Sequence, residues 1–373
     1  MEKALPWMIL KSVPGIGNHL FKRLIERFNR PELVFEAANE DLLRVEGLSP
    51  RLAKAIHRHK VPETVKKDFD LVMRKGYKII TMIDHEYPPL LLQIPDPPPF
   101  LYLFGRLDST MQNIAVVGSR NATSYGIATT TRLCASLASL KITIASGMAR
   151  GIDTAAHQGA LSVKGRTIAV LGSGLEKVYP AENLKLFHEI AENGAVISEF
   201  PLLTEPEAHH FPVRNRIISG ISHGTVIVEA TKRSGSLITA RLAGEQGREV
   251  FAVPGSIHSF KSTGTHSLIK QGAKLVENAQ DIMEELSHLF RVPLSHDIPD
   301  QKKITKESLR LEPDEIKVFE AIGPYPVHVD DLVRKIFIEP GKLSSILLRL
   351  ELKGLVQQSP GNFFSKSEKE PNR

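Results

Sequence analysis

From residue 113 onward, apolar residues come in short β-branched runs separated by amphipathic stretches of roughly a dozen residues, a normal crossover length. The runs fall at 113–118, 141–146, 166–171, 195–199, 224–229, 249–253 and 273–276. Runs without polar alternation suit strands buried on both faces. The pattern predicts an α/β domain over 113–286, with about seven strands in a mostly parallel sheet and helices on both faces.

Ahead of it the periodicity is helical. Leu20, Phe21, Leu24, Ile25 and Phe28 follow the turn Val13-Pro14-Gly15-Ile16-Gly17. Leu52, Ala53 and Ile56 follow a looser copy, Val45-Glu46-Gly47-Leu48-Ser49. Helix, glycine turn, helix predicts an N-terminal helical domain over 1–84 of the helix-hairpin-helix or SAM-like kind. Its turn amides could hold a DNA phosphate, or the glycines could serve only as turns. A strand is expected at 77–80. Proline-rich sequence between Tyr87 and Pro99 makes 85–112 an extended connector, closed by an entry strand at 100–105. After the sheet, the polar stretch 287–308 reads as a linker. Three helical runs and a hairpin predict a winged helix over 309–366, followed by a tail at 367–373. Its third helix offers few base-reading residues beyond Lys342, Ser344, Ser345 and Arg349, so packing or protein contact competes with DNA recognition there.

Composition narrows the class without naming a ligand. At 42% hydrophobic and 24% charged residues, the chain is ordinary for a soluble protein. No apolar run has the length of a membrane span, and the first residues lack a signal peptide's apolar core, so a cytoplasmic location is expected. The lone Cys134 excludes an internal disulfide and a multi-cysteine zinc site. The net charge of +6 sits at the ends: residues 1–84 hold 16 Lys/Arg against 11 Asp/Glu, 85–300 hold 19 against 20, and 301–373 hold 13 against 11. A nucleic-acid site in the middle must therefore gather its cations locally.

Candidate chemistry lies where the strands end. Gly118-Ser119-Arg120 follows the first run, Ser146-Gly147 with Arg150-Gly151 the second, and Gly255 the sixth, while Ser234-Gly235 opens a helix after the fifth. Phe211 and Arg214-Asn215-Arg216 open another helix. In an open parallel sheet these ends share one edge, where ligands bind. Glycines permit close approach, helix N-termini favour anions, and arginine matches phosphate. The dinucleotide fingerprint is absent, since Arg120 and Thr123 stand where it needs glycine, and so is a Walker A motif. Phe211 suits base stacking or a core position equally. Asp153 and His157 could face each other on one helix turn, as a hydrogen-bonded structural pair or as a metal or catalytic pair, with no third ligand at a telling spacing. Glu199 and Glu229 could act as acid and base, or fix Arg214 or Arg216 by ion pairing.

Residues 114–276 resemble the DNA-processing protein A (DprA/Smf) family, in blocks at 117–120, 146–153, 167–175 with Tyr179-Pro180, 198–201, 211–218, 228–240, 250–255 and 264–272. Gly264-Thr265-His266 departs from it, the family more often having asparagine third. The resemblance implies an extended Rossmann-like domain that binds single-stranded DNA, forms a homodimer and promotes loading of RecA during natural transformation. Single-stranded-DNA-binding protein is a further partner to consider; no catalytic residue, cofactor or metal is implied. The family's pocket falls on Gly118, Ser119, Arg120, Ser146, Gly147, Arg214, Asn215 and Arg216. Our reading of the turns adds Arg150, Gly151, Phe211, Ser234, Gly235 and Gly255. The alternative is a nucleotide-binding or N-glycosidic-bond-cleaving enzyme of a related Rossmann-like family, although the Pro-Gly-Gly-x-Gly-Thr loop of such enzymes is missing.

Overall fold

The computed structural model describes residues 2–289, 312–322 and 326–366. The expected linker from residue 290 onward and the tail at 367–373 lie outside the described residues. Nine strands form one sheet: β1 (Lys78–Thr81), β2 (Phe100–Gly105), β3 (Asn113–Gly118), β4 (Thr143–Ser146), β5 (Thr167–Val170), β6 (Ala195–Ser198), β7 (Gly224–Val228), β8 (Glu249–Ala252) and β9 (Lys274–Leu275). Their order is β1-β2-β6-β5-β4-β3-β7-β8-β9. Strands β3 to β9 are parallel, and β4 to β7 are buried at every residue, as their uninterrupted apolar runs require.

The sheet is two strands wider than the pattern from residue 113 suggests. The entry strand β2 lies antiparallel on β6, with Tyr102 opposite Ser198, and β1 pairs antiparallel with β2. Together they cover an edge of β6 that would otherwise present unpaired backbone groups. Gly105 ends β2 where a side chain would not fit: a Cβ there would lie 2.5 Å from the carbonyl oxygens of Ala191 and Gly194.

Strand order reverses at β3. The chain steps outward from β3 through β4, β5 and β6, then returns to lay β7 along the other side of β3. Gly118 is in register with Val228 at their C-terminal ends. The crossovers leaving β3 and β7 depart to opposite sides, and this opens a crevice.

The N-terminal helices include Leu5–Lys11, Asn18–Phe28, Asn39–Leu43 and Pro50–Arg58. They form two helix–turn–helix units whose turns use Gly15 and Gly47 at φ 97° and 87°. Trp7 stacks on Phe21 at 5.5 Å. One apolar cluster runs from Trp7 and Phe21 through Tyr87 and Leu101 to Val170 and Ile217, so these helices share a core with the sheet.

A second compact unit holds the C-terminal segment. Its helices Pro313–Ala321, Val329–Ile336 and Pro340–Leu352 pack through Val318, Leu332, Leu343 and Leu347. A three-stranded antiparallel sheet, β10 (Val327–His328), β12 (Phe363–Lys366) and β11 (Val356–Ser359), completes the winged helix, one short strand more than the expected hairpin. Among the described residues no helix is long and apolar enough to cross a membrane.

Candidate nucleic-acid interface

A cleft of about 660 Å³ opens at the β3/β7 reversal. One wall is the turn after β3, with Gly118, Ser119, Arg120 and Asn121, and the other follows β7, with Thr231, Arg233, Ser234 and Gly235. Phe211, Arg214 and Asn215, from the helix His210–Gly220, line the same space. Phe260 and Lys261, from the loop after β8, complete it.

Steric necessity explains the first turn. A Cβ on Gly118 would lie 1.8 Å from the Val228 carbonyl oxygen, so only glycine lets β3 and β7 stay paired there. The Ser119 N–H donates to that carbonyl at 3.3 Å, and the Ser119 carbonyl accepts from Ile152 N–H at 3.1 Å. A Cβ on Gly151, which sits at φ 74°, would lie 2.3 Å from the Ser119 and 2.7 Å from the Arg120 carbonyl oxygen, which leaves no room for a side chain. The helix cap falls further on: the Thr123 hydroxyl accepts from Gly126 N–H at 3.1 Å. The Ser119 and Arg120 side chains are thus not consumed in starting the helix.

The floor is a buried charge pair. Arg214 donates to the Gly147 carbonyl at 2.8 Å, to the Val170 carbonyl, and to Asn215 Oδ1 at 3.3 Å. A Cβ on Gly147 would meet Arg214 Nη2 at 2.6 Å and Asp153 Oδ2 at 2.7 Å, so Gly147 is a slot between the two charges. Burial pushes the Asp153 carboxyl up to about 6 against the pull of Arg214. Burial also pushes Arg214 down to about 10, which leaves it charged at neutral pH. Phe211 sits over Gly172, with Arg120 5.1 Å and Arg214 5.9 Å from its ring centre and Tyr179 packed beside it at 5.7 Å.

Above this floor the charge is one-sided. Among the described residues, Arg120, Arg214, Arg233 and Lys261 line the cleft against one carboxylate, Asp153. Among the described residues, Arg120, Arg233 and Lys261 make no ion pair. Lys261 instead donates to the Asn121 carbonyl, which ties its loop to the first turn.

Of the residues singled out from sequence, Gly118, Ser119, Arg120, Phe211, Arg214, Asn215, Ser234 and Gly235 line this one space. The others lie around it. Ser146 is fully buried and donates to the Val116 carbonyl at 2.6 Å, a cross-strand bond. Gly147 and Gly151 act through the packing just described. Arg150 is exposed and forms a fork with both oxygens of Glu182. Gly255 accepts from His266 Nε2 at 3.0 Å, which gives the unusual histidine a local role. Arg216 is buried and turned to Glu199, with its Nε 2.9 Å from Asp96. Glu199 therefore fixes an arginine, as one of its two expected roles required. Glu229 is buried at the end of β7 and does not line the cleft.

Asp153 and His157 do not pair with each other. Asp153 accepts from Ala149 N–H at 3.4 Å, while His157 Nδ1 lies 2.7 Å from the Thr167 hydroxyl. That hydroxyl donates its proton to the Ile144 carbonyl, so His157 Nδ1–H must be the donor in their bond. Among the described residues its buried Nε2 has no partner, and burial pushes the imidazole down to about 3.

Sequence reasoning missed Asn121, Arg233, Phe260 and Lys261. The usable signal was a basic Thr-Lys-Arg-Ser turn after one strand and an aromatic–lysine pair in the Ser-rich loop after the next. Among the described residues, Glu207, His209 and His210 bring possible metal-ligand atoms within 4.8 Å of one another. In the winged helix, cations of the third helix and its C-cap are taken up by acids of the first helix and its N-cap: Lys342 with Asp314 at 2.6 Å, Arg349 with Glu312 at 3.4 Å, and Lys353 with Glu315 at 2.7 Å.

Fold and cleft together define a doubly wound α/β protein with a cation-lined crevice at its switch point. Residues 78–287 match the family model of DNA recombination-mediator protein A, and 305–362 that of the DprA winged helix domain. The chain belongs to this DprA/Smf family. It is 34% identical to protein Smf of Synechocystis over 95% of this chain and 96% of that protein, and 42% identical to protein Smf of Escherichia coli over 74% of each. Among solved structures it is similar to DNA processing protein A of Streptococcus pneumoniae, with 36% identity and a TM-score of 0.65 over 75% of this chain and 96% of that one. The Helicobacter pylori protein, described for its single-stranded DNA binding mode, matches at 32% identity and a TM-score of 0.51, covering 57% of this chain and 97% of its own.

Proposed function

We propose that this chain binds single-stranded DNA in the β3/β7 cleft and works as a homodimeric recombination mediator. In this role it protects incoming DNA and promotes RecA loading during natural transformation, in the cytoplasm, with single-stranded-DNA-binding protein as a further partner. The observation that carries the reading is the one-sided charge of the cleft, which among the described residues sets four cationic side chains against one buried carboxylate. Arg120 over Phe211 offers a phosphate fork and an aromatic face together, the pairing a flexible strand uses. The likeness to the H. pylori protein supports the same ligand.

An N-glycosidic-bond-cleaving reading needs a carboxylate that reaches the scissile bond. The carboxylate lining the cleft, Asp153, is buried beside Arg214, so the geometry favours binding without chemistry. The paired cations of the third helix also favour a protein-contact role for the winged helix over groove recognition. Gel shifts of the full chain with equal lengths of single- and double-stranded DNA across salt test the proposal. Tight, salt-sensitive preference for the single strand is expected. Equal or duplex-favouring affinity overturns it.

A further inference from the structure

One wall of the cleft carries an aromatic side chain with little covering it. Phe260 lines the cleft yet is 69% exposed, and Ile257, three residues earlier on the same loop, is 83% exposed. The loop is not slack. Ser259 N–H donates to the Ser256 carbonyl at 3.0 Å, Ser262 N–H to the Ser259 carbonyl at 3.0 Å, and the Thr263 hydroxyl to the Phe260 carbonyl at 2.7 Å. Lys261 anchors it to Asn121, beside Ser119 and Arg120. Phe260 is thus held as a fixed plate on the cleft wall. A ring left open on a backbone this well tied needs a covering ligand to gain from its apolar surface.

The surroundings select the ligand. Arg120, Arg233 and Lys261 make the wall cationic, with no acidic partner among the described residues, which suits a polyanion better than an apolar peptide. We propose that Phe260 is a subsite for an unpaired nucleobase, which stacks on its ring while Lys261 and Arg120 hold adjoining phosphates. This rests on the single-strand reading above and adds where a base goes. Every base has a π face, so the subsite tolerates any sequence; in a duplex the faces are already stacked, so it also selects against paired DNA.

The test pairs a protein change with a ligand change. Full-length wild type, Phe260→Ala and Phe260→Tyr are titrated with an oligothymidylate and with an abasic sugar–phosphate oligomer of the same length. Phe260→Ala is expected to weaken oligothymidylate binding on the order of tenfold, with Phe260→Tyr retaining it. Neither variant should change affinity for the abasic oligomer. Because the ring is exposed, its removal should leave thermal stability unchanged. An equal loss on both oligomers, or no loss on either, overturns the subsite while leaving strand binding intact. Wild type that binds neither oligomer overturns the strand-binding reading itself, and the subsite with it.

Discussion

Arg214 and Arg216, two residues apart on one helix, serve opposite sides of it. Successive helical residues turn by about 100°, so a spacing of two sends side chains to nearly opposite faces. Arg214 reaches the cleft floor at Gly147, and Arg216 reaches Glu199 and Asp96, with Lys11 and Tyr87 near enough to feel its charge. One arginine faces the proposed ligand, and the other ties the helix to the N-terminal part of the chain.

Arg216→Ala should therefore act on stability. It leaves Glu199, already pushed toward the neutral form by burial, without its partner. Breaking a buried pair costs about 3–5 kcal/mol. Urea unfolding of the variant should show a loss of that order, with oligonucleotide affinity of the folded fraction little changed. A loss under about 1 kcal/mol would show that the cluster carries no such energy.

Arg120 and Lys261 should behave in the reverse way. Arg120 is exposed and makes no ion pair among the described residues, so Arg120→Ala should cost no more stability than its contact with the Phe211 ring contributes, about 0.5–1 kcal/mol. Each phosphate contact on a single strand contributes about 0.7 to the slope of log K against log salt. The single variant should flatten that slope by about 0.7, and the double variant with Lys261→Ala by about 1.4. An unchanged slope in the double variant would place the phosphates elsewhere.

The glycines of the cleft divide by a measurable criterion. Gly118→Ala puts a methyl 1.8 Å from the Val228 carbonyl oxygen, whereas an added Cβ at Gly235 meets nothing within 4 Å. The first should cost several kcal/mol or prevent folding, through overpacking at about 1–3 kcal/mol or more and loss of the β3/β7 pairing. The second should stay within about 0.5 kcal/mol. Purified yields and denaturant midpoints of the two variants decide it, and equal midpoints would contradict the packing described for Gly118.

These contrasts mark how far the sequence could be read. The seven parallel strands were legible because burial on both faces forces uninterrupted apolar runs. The cleft was legible at Gly118-Ser119-Arg120 and Phe211 because strand ends of a parallel sheet share an edge. Arg216 was grouped with Arg214 by adjacency, and only the helix's rotation separates them. Ser146 looked like a phosphate hydroxyl until its bond to Val116 gave it a strand partner. Phe260 and Lys261 were missed because a loop's path toward β3 is set by tertiary contacts such as Lys261 with Asn121. β1 and β2 were seen as strands but not as part of the sheet, since antiparallel pairing across a long separation leaves no local trace.

Asp153 and His157, one helix turn apart, should pull the pH dependence of stability in opposite directions. Asp153 rises from 3.8 to about 6 on folding, so between those values the native state holds more proton than the unfolded chain. Its contribution to stability is fully present below the unfolded value and is lost as pH rises toward 6. His157 falls from 6.5 to about 3, so it holds fewer protons when folded, and its contribution is lost as pH falls below 6.5. Between pH 4 and 6 the two slopes oppose each other. Asp153→Asn removes one of them and leaves Arg214 charged throughout, so the variant should gain on wild type by about 2–3 kcal/mol between pH 4 and pH 7. Its own stability should then rise more steeply with pH than that of wild type across the window governed by His157. Urea unfolding of both proteins at pH 4, 5, 6 and 7 measures the difference directly. Parallel curves would mean that Asp153 titrates alike in the folded and unfolded chain, and that the carboxylate beneath the cleft is solvated instead of held dry against Arg214.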